Sequence, residues 1–218
     1  MTTPLMVRID GKREDLIQLT QDLIRIPTLN PPGENYGAIC DFLNKRLQAS
    51  GFETQLIRAF DTPGDSERYP RWNIIARRDG TSLGDCVHFN SHTDVVEVGS
   101  GWTFDPFGGE IADGNIYGRG ACDMKGGLAS SIIAAEAFIE QYPDFSGAIE
   151  ISGTADEESG GYGGVAYLAE HGHFSPERCS TSSSQSPFRK TVFVWATVVV
   201  GGLRSKQKAK SHMAPCLS

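Results

Sequence analysis

The chain has 218 residues and carries a formal net charge of −7, with 27 acidic and 20 basic side chains. This length accommodates one large domain or two small ones with a buried core. The acidic balance argues against a nucleic-acid-binding protein, because such proteins present a basic face to the phosphate backbone. No apolar stretch has the length of a membrane span, and the N-terminal residues lack the apolar segment of a secretion signal.

The cysteines are scattered along the chain without a closely spaced pair, at Cys40, Cys86, Cys122, Cys179 and Cys216. An odd number at irregular spacing is typical of reduced thiols and provides neither a disulfide framework nor a thiolate zinc site. We therefore expect a cytoplasmic protein that interacts with neither membranes nor nucleic acid.

Apolar periodicity predicts two amphipathic helices near the N-terminus, at residues 13–26 and at about residues 36–49. Pro27 ends the first helix, and Gly51 follows the second. Short apolar runs predict strands at residues 52–57, 72–76, 86–90 and 148–152, with a hairpin over 108–117. Helices predicted at residues 128–142 and 165–170 alternate with these strands. The alternation predicts an α/β fold with a mixed, mostly parallel sheet and helices on both faces.

A glycine-rich stretch, Gly-Arg-Gly-Ala-Cys-Asp-Met-Lys-Gly-Gly, occupies residues 118–127 and leads directly into a predicted helix. Glycines allow positive φ angles and a close approach of the backbone to a bound group. Asp123, at the centre of the stretch, is therefore placed where a ligand can be bound. A left-handed turn with Asp123 as a simple helix cap explains the same residues, so this stretch alone does not establish a site.

Two further polar motifs follow predicted strands, Ser-His-Thr-Asp at residues 91–94 and Asp-Glu-Glu at residues 156–158. Ligands of open α/β sheets bind at the edge formed by the carboxyl ends of the strands. We therefore expect one sheet edge to gather His92, Asp94, Asp123, Glu157 and Glu158. One imidazole with several carboxylates suits Zn²⁺ or a similar divalent ion.

These residue types also suggest a division of roles within the expected site. Asp94 can fix the orientation of the imidazole of His92. Of the adjacent Glu157 and Glu158, one can bind a metal while the other takes a proton from water. Each motif also has a structural explanation when taken alone, because a histidine at a strand end is commonly a core residue. We expect His88 to be structural for that reason, and His171 and His173 to be surface residues.

The three motifs in this order resemble the M20 metallopeptidase family, and most of all its acetylornithine deacetylase and succinyl-diaminopimelate desuccinylase group. The resemblance runs from about residue 13 to residue 177. It implies a di-zinc amidohydrolase fold with an inserted lid or dimerisation domain. By position, it implies that His92, Asp123 and Glu158 are the metal ligands, with Asp123 bridging two ions. It also implies that Glu157 is the general base, that Asp94 orients His92, and that the Asp123–Met124 peptide bond is cis.

The function implied by the resemblance is removal of an acyl group from a small N-acylated amino acid, with two Zn²⁺ per intact site or Co²⁺ in their place. A homodimer is expected for the full-length family. Two alternatives stay open. One is a carboxypeptidase or aminoacylase of the same family, and the other is a binding module that keeps the fold without catalysis.

Parts of the family pattern have no match, namely a further carboxylate ligand, a C-terminal histidine ligand and a lid histidine. No acidic residue follows Glu177. In a shifted frame with free third bases, the codons from Thr181, Lys190 and Lys208 can encode strings resembling the unmatched regions. We hypothesise that residues 1–178 form the N-terminal part of a catalytic domain, and that residues 179–218 are an out-of-frame, disordered tail. A truncated, inactive chain that binds metal weakly is then expected, and the gene sequence tests this hypothesis.

Overall fold

The computed structural model describes residues 3–174 and residues 204–206. Its helices are α1 to α5, at Pro4–Gly11, Arg13–Ile24, Tyr36–Ala49, Gly126–Gln141 and Tyr167–Glu170. Its strands are β1 to β7, at Glu53–Ala59, Arg71–Asp79, Ser82–His92, Glu110–Ala112, Asn115–Tyr117, Ser146–Thr154 and Arg204–Lys206. Short irregular turns of helix occupy Ala121–Lys125, Glu157–Ser159 and Tyr162–Ala166.

The central sheet has the strand order β1-β2-β6-β3 and is mixed, as predicted. The expectation that it is mostly parallel is wrong for the described strands, because two of its three pairings are antiparallel. β1 pairs with β2 and β2 pairs with β6 in antiparallel orientation, whereas β3 and β6 are parallel. The small sheet β4-β5-β7 lies apart from it in the pairing scheme. Its β4–β5 hairpin turns at Asp113 and Gly114, which both have positive φ, as a two-residue turn requires.

Helices α2, α3 and α4 cover one face of the central sheet. The apolar positions of α3 recur every four residues, at Ile39, Leu43 and Leu47, so they form one buried stripe. This stripe belongs to the main core, together with Leu16, Leu19, Leu23, Ile74, Leu128, Ile132, Ile149 and Ile151. On the opposite face, Leu168 of α5 packs against Ile57 and Ile75. The predicted α/β architecture with helices on both faces is therefore confirmed.

The parallel pair β3–β6 brings the two polar motifs together. His92, the last residue of β3, is in register with Thr154, the last residue of β6. Because parallel strands end at the same sheet edge, the segments that follow β3 and β6 begin next to each other. Gly153 allows this close packing, since a Cβ there would lie only 3.0–3.1 Å from Ile74, Leu43 and Thr93.

One helix was not predicted from the sequence, and the expected tail lies mostly outside the described residues. The sequence reading did not include α1, which begins after Thr3, whose hydroxyl accepts a hydrogen bond from the backbone N–H of Met6. The expected tail, residues 179–218, lies outside the described residues except for β7, which pairs in parallel with β5. The shifted-frame hypothesis therefore stays a prediction. Among the described residues, no helix combines the length and apolar character that crossing a membrane demands.

Candidate metal centre

His92 lies at the centre of the candidate site, buried at the end of β3. Its Nδ1 lies 3.1 Å from the backbone oxygen of Asp94 and 3.4 Å from Oδ1 of the same residue. Its Nε2 faces the other carboxylates, at 3.0 Å from Oδ1 of Asp123 and 3.9 Å from Oε2 of Glu157. Burial alone lowers the pKa of His92, but Asp94 and Asp123 more than offset this and raise it to about 9. Nε2 is therefore the nitrogen directed at the carboxylate cluster.

Asp94 is fully buried and joins three segments of the chain. Its carboxylate accepts hydrogen bonds from Nδ2 of Asn30 at 2.9 Å, from the N–H of Glu157 at 3.3 Å and from the N–H of Glu158 at 3.1 Å. Burial raises the pKa of Asp94, but hydrogen bonds from His92 and Asn30 outweigh it and lower the pKa below its ordinary value. Because its oxygens are engaged, Asp94 supports the site rather than offering a free ligand atom.

Glu157 and Glu158 stand on a single helical turn directly after β6. The turn is bounded by Asp156 and Gly160, which both adopt left-handed φ angles. One ligand atom each from His92, Glu157 and Glu158 can be chosen so that all three lie within 4.8 Å of one another. Burial is the main cause that raises the pKa of Glu158 to about 6; His92 opposes it, and the neighbouring carboxylate of Asp123 adds to it.

Asp123 reaches the same place from the glycine-rich turn. Its side chain is 68% exposed and contacts Nε2 of His92. The Asp123–Met124 peptide bond is cis, as the resemblance implied. The turn depends on Gly120, whose φ of +83° favours glycine and whose added Cβ would lie 2.6 Å from Val95. The structure therefore brings all five predicted residues to one sheet edge.

This donor set fits a divalent cation. Four carboxylates, those of Asp94, Asp123, Glu157 and Glu158, surround one imidazole, and the raised pKa of Glu158 reflects burial together with repulsion among them. A divalent ion relieves such repulsion, and imidazole with carboxylate oxygens is a ligand set that Zn²⁺ accepts. Asp123 and Glu157 both approach Nε2 of His92, so each is placed to contribute an oxygen ligand beside it.

Several supporting residues were not identified from the sequence. Asp156 was grouped with the acidic motif, yet it is buried and forms an ion pair with Arg71. Asn30, which directly precedes two prolines, donates a hydrogen bond to Asp94. Lys125 is fully buried, donates to the backbone oxygen of Ile26 at 2.6 Å, and has a pKa lowered by burial to about 7. Their partners are distant in sequence, so local pattern carried no sign of them.

Of the histidines outside the site, His88 and His171 are placed as expected, whereas His173, expected at the surface, is half-buried. His88 is buried in the sheet with its Nε2 2.9 Å from the hydroxyl of Ser152, and its ring packs edge-on against Phe174. His171 lies exposed after α5 and stacks on Tyr167.

Residues 88–200 match the family model described as peptidase family M20/M25/M40. A succinyl-diaminopimelate desuccinylase of Beijerinckia indica subsp. indica is 37% identical over 183 residues, covering 80% of this chain and 44% of that enzyme. Human carnosine dipeptidase 1 superposes with a TM-score of 0.65 at 24% identity, over 77% of this chain and 37% of its own.

The YXEP protein of Bacillus subtilis, described as a dinuclear metal binding peptidase from the M20 family, superposes with a TM-score of 0.51 at 17% identity. That match covers 75% of this chain and 40% of the Bacillus protein. The chain thus spans less than half the length of these three relatives. The family match covers more than half of the chain, and the polar motifs meet at one sheet edge. The chain therefore belongs to the M20/M25/M40 peptidase family.

Proposed function

We propose that this chain carries the metal centre of a metal-dependent amidohydrolase that removes an acyl group from a small N-acylated amino acid. The observation that carries this proposal is the meeting of His92, Asp123, Glu157 and Glu158 around the Nε2 side of one buried imidazole. The desuccinylase name of its curated relatives favours a succinylated or similarly acylated substrate that carries a carboxylate.

Within this proposal, His92, Asp123 and Glu158 hold the metal, and Glu157 is the general base. Two ions, Zn²⁺ or Co²⁺, are proposed for the complete site. A bound divalent ion supplies Lewis acidity to the substrate carbonyl and acidifies a nucleophilic water. Asp94 orients His92 through the Nδ1 side of its ring.

The placement of Glu157 supports its role as the base. Its side chain is 45% exposed, more than those of Glu158 and His92, so of the two adjacent glutamates Glu157 is the one that reaches solvent. In that position it can accept a proton from the attacking water and pass it to the departing amine. The alternative assignment makes Glu157 a ligand, because it also belongs to the group of three donors around His92.

The test is to express the full 218-residue chain and measure bound metal after addition of Zn²⁺ or Co²⁺, together with hydrolysis of N-succinyl-diaminopimelate and N-acetylornithine. A general base predicts that Glu157→Gln keeps its metal and loses turnover, whereas Glu158→Gln loses both. Glu53→Gln, at an exposed site on β1, is the matched control. A wild-type chain that takes up no metal overturns the proposed function.

A second candidate within the family is a dipeptidase or carboxypeptidase, favoured by the superposition on human carnosine dipeptidase 1. Dipeptide substrates assayed beside the acylated amino acids separate the two. Homodimer formation and cytoplasmic localisation stay predictions, and light scattering on the purified chain tests the first.

A further inference from the structure

A buried ion pair lies directly behind the candidate site. Nε of Arg71 is 3.0 Å from Oδ1 of Asp156, and both side chains are almost completely buried. The guanidinium also donates from Nη1 to the backbone oxygens of Pro32 and Tyr69, at 2.8 Å each. Arg71 thus connects the loop after α2, the loop before β2 and the turn after β6.

Tyr36, the first residue of α3, completes this network. Its hydroxyl accepts a hydrogen bond from the backbone N–H of Asp156 at 2.9 Å and donates to Oδ1 of that residue at 3.4 Å. Burial raises the pKa of the Tyr36 hydroxyl far above its ordinary range, so the group stays protonated and keeps its ability to donate.

Glycine backbone packs closely against the Arg71 side chain at three points, two of them at the guanidinium. A Cβ added at Gly33 or at Gly64 would collide with the guanidinium of Arg71, and one at Gly163 would lie 2.5 Å from its Cγ. These glycines belong to the same three segments that Arg71 connects. The space between these glycines is filled by the planar guanidinium, so a side chain at these positions would displace it.

Every polar group of Asp156 takes part in a hydrogen bond or ion pair. Its N–H donates to Tyr36, and its backbone oxygen accepts from the N–H groups of Ser159 at 3.1 Å and Gly161 at 2.6 Å. Its carboxylate accepts from the N–H of Gly163 at 3.2 Å as well as from Arg71. The turn that begins at Glu157 is therefore anchored at Asp156, the residue that precedes it.

Asp94 holds the same turn from the other side, because it accepts hydrogen bonds from the N–H groups of Glu157 and Glu158. Between these two carboxylates the backbone of the turn has little freedom.

We propose that Arg71 and Tyr36 are positioning residues that, through Asp156, fix the turn presenting Glu157 and Glu158 to the metal. The metal-affinity part of this inference rests on the proposed function. The competing explanation is that the network only contributes to the stability of the whole fold, as many buried ion pairs do when one partner is lost.

The test compares Tyr36→Phe and Arg71→Lys with Glu136→Gln in the full chain. Glu136 is the matched control because it is also buried in an ion pair, with Arg46 at 2.6 Å, but lies on α4, away from the turn. The first measurement is hydrogen–deuterium exchange without metal. Positioning predicts exchange at residues 156–163 at least about tenfold faster in Tyr36→Phe, with helix α4 unchanged.

The second measurement is Zn²⁺ affinity by competition with a chelator. Loss of an outer-shell partner typically weakens metal binding by about 10- to 100-fold, and we expect this range for Tyr36→Phe and Arg71→Lys. Glu136→Gln is expected to leave the affinity unchanged while it speeds exchange in α4.

Two results overturn the inference. One is a uniform rise of exchange across the sheet, α4 and the turn, which indicates global destabilisation. The other is locally faster exchange at residues 156–163 with unchanged metal affinity, which shows that the anchored turn does not govern binding. If the wild-type chain binds no metal, the proposed function fails, and the exchange comparison alone decides whether the network fixes the turn.

Discussion

At the scale of single residues, the geometry of the candidate site depends on a buried carboxylate whose oxygens are engaged in hydrogen bonds. Asp94 is fully buried, lies beside Nδ1 of His92, and accepts hydrogen bonds from Asn30, Glu157 and Glu158. A carboxylate suits this place because it only accepts, and every neighbour that reaches it here can donate.

The substitution Asp94→Asn tests this role. The new amide places N–H donors against the N–H groups of Glu157 and Glu158, so at least one buried donor loses its acceptor. We expect a loss of about 2–4 kcal/mol in the free energy of unfolding, measured by urea titration. We also expect metal affinity to fall about 10- to 100-fold, as for other outer-shell partners.

The matched control is Asp113→Asn, at the exposed turn of the β4–β5 hairpin. Asparagine tolerates the left-handed backbone of that turn, so the expected change is within about 0.5 kcal/mol. Equal losses in both variants would contradict the role assigned to Asp94.

At the scale of elements, the glycine-rich turn before α4 is shaped by contacts behind it. Gly120 has a φ of +83°, and Lys125 folds over it so that an added Cβ would lie 3.2 Å from the lysine Cδ. Lys125 then reaches back to the backbone oxygen of Ile26. The turn that carries Asp123 is therefore packed against the end of α2.

The substitution Gly120→Ala is expected to destabilise the fold by about 2–4 kcal/mol, because it adds the cost of left-handed backbone to a steric conflict with Val95. Gly114→Ala is the control: Gly114 also has positive φ, at +71°, but a Cβ there meets nothing within 4 Å. It should lose only about 1 kcal/mol. Urea titration of both variants gives the comparison, and similar values would remove the steric argument.

Helix α1 is attached to the fold mainly by charge. It buries no residue, and Arg8 bonds Glu140 of α4 at 3.2 Å while Lys12, the residue after α1, bonds it at 2.7 Å. Lys12 and then Arg8 lower the pKa of Glu140 in the folded protein. The stability from this pairing is thus fully present above the ordinary pKa of the carboxyl group and is lost as the pH falls through the lowered one.

The prediction for Glu140→Gln is a loss of less than about 1 kcal/mol near neutral pH, because these partners are partly exposed and screened by solvent. At a pH below the lowered pKa of Glu140 the variant and the wild type should have equal stability, because the wild-type carboxylate is then protonated. Urea titrations at both pH values measure the difference. A gap that stays constant with pH would show that packing rather than charge holds α1.

At the scale of the whole molecule, the candidate ligands come from three distant parts of the chain. His92 ends β3, Asp123 lies before α4, and Glu158 follows β6. Only the folded chain brings them together, so a bound ion must favour the folded state over the unfolded one.

Zinc at about 100 times its dissociation constant should therefore add about 2.7 kcal/mol to the free energy of unfolding. For a chain of this size that corresponds to a rise of roughly 5–10 °C in the melting temperature, measured by calorimetry. A chelator should reverse the rise, and His92→Gln should abolish it. An equal rise in His92→Gln would place the bound ion elsewhere.

Element boundaries show where sequence reasoning lost accuracy. The predicted strand at 86–90 became β3 at Ser82–His92, because its pairing with β6 continues beyond the short apolar run. The residues that extend the strand, at 82–85 and 91–92, are mostly polar or glycine, so apolar periodicity does not include them. Hydrogen bonding along the sheet, rather than apolar periodicity, determines where these strands end.

The sequence alone determined the fold class and the residues that meet at the candidate site, because strand ends and residue types are written in short stretches of neighbours. Only the tertiary structure decided that Asp156 pairs with Arg71 and Tyr36, and that Asn30 donates a hydrogen bond to Asp94. These partners are 85, 120 and 64 residues apart in the chain. A buried charge must be paired, but which residue pairs with it depends on how distant segments pack in the fold. Local sequence patterns therefore do not predict such pairs.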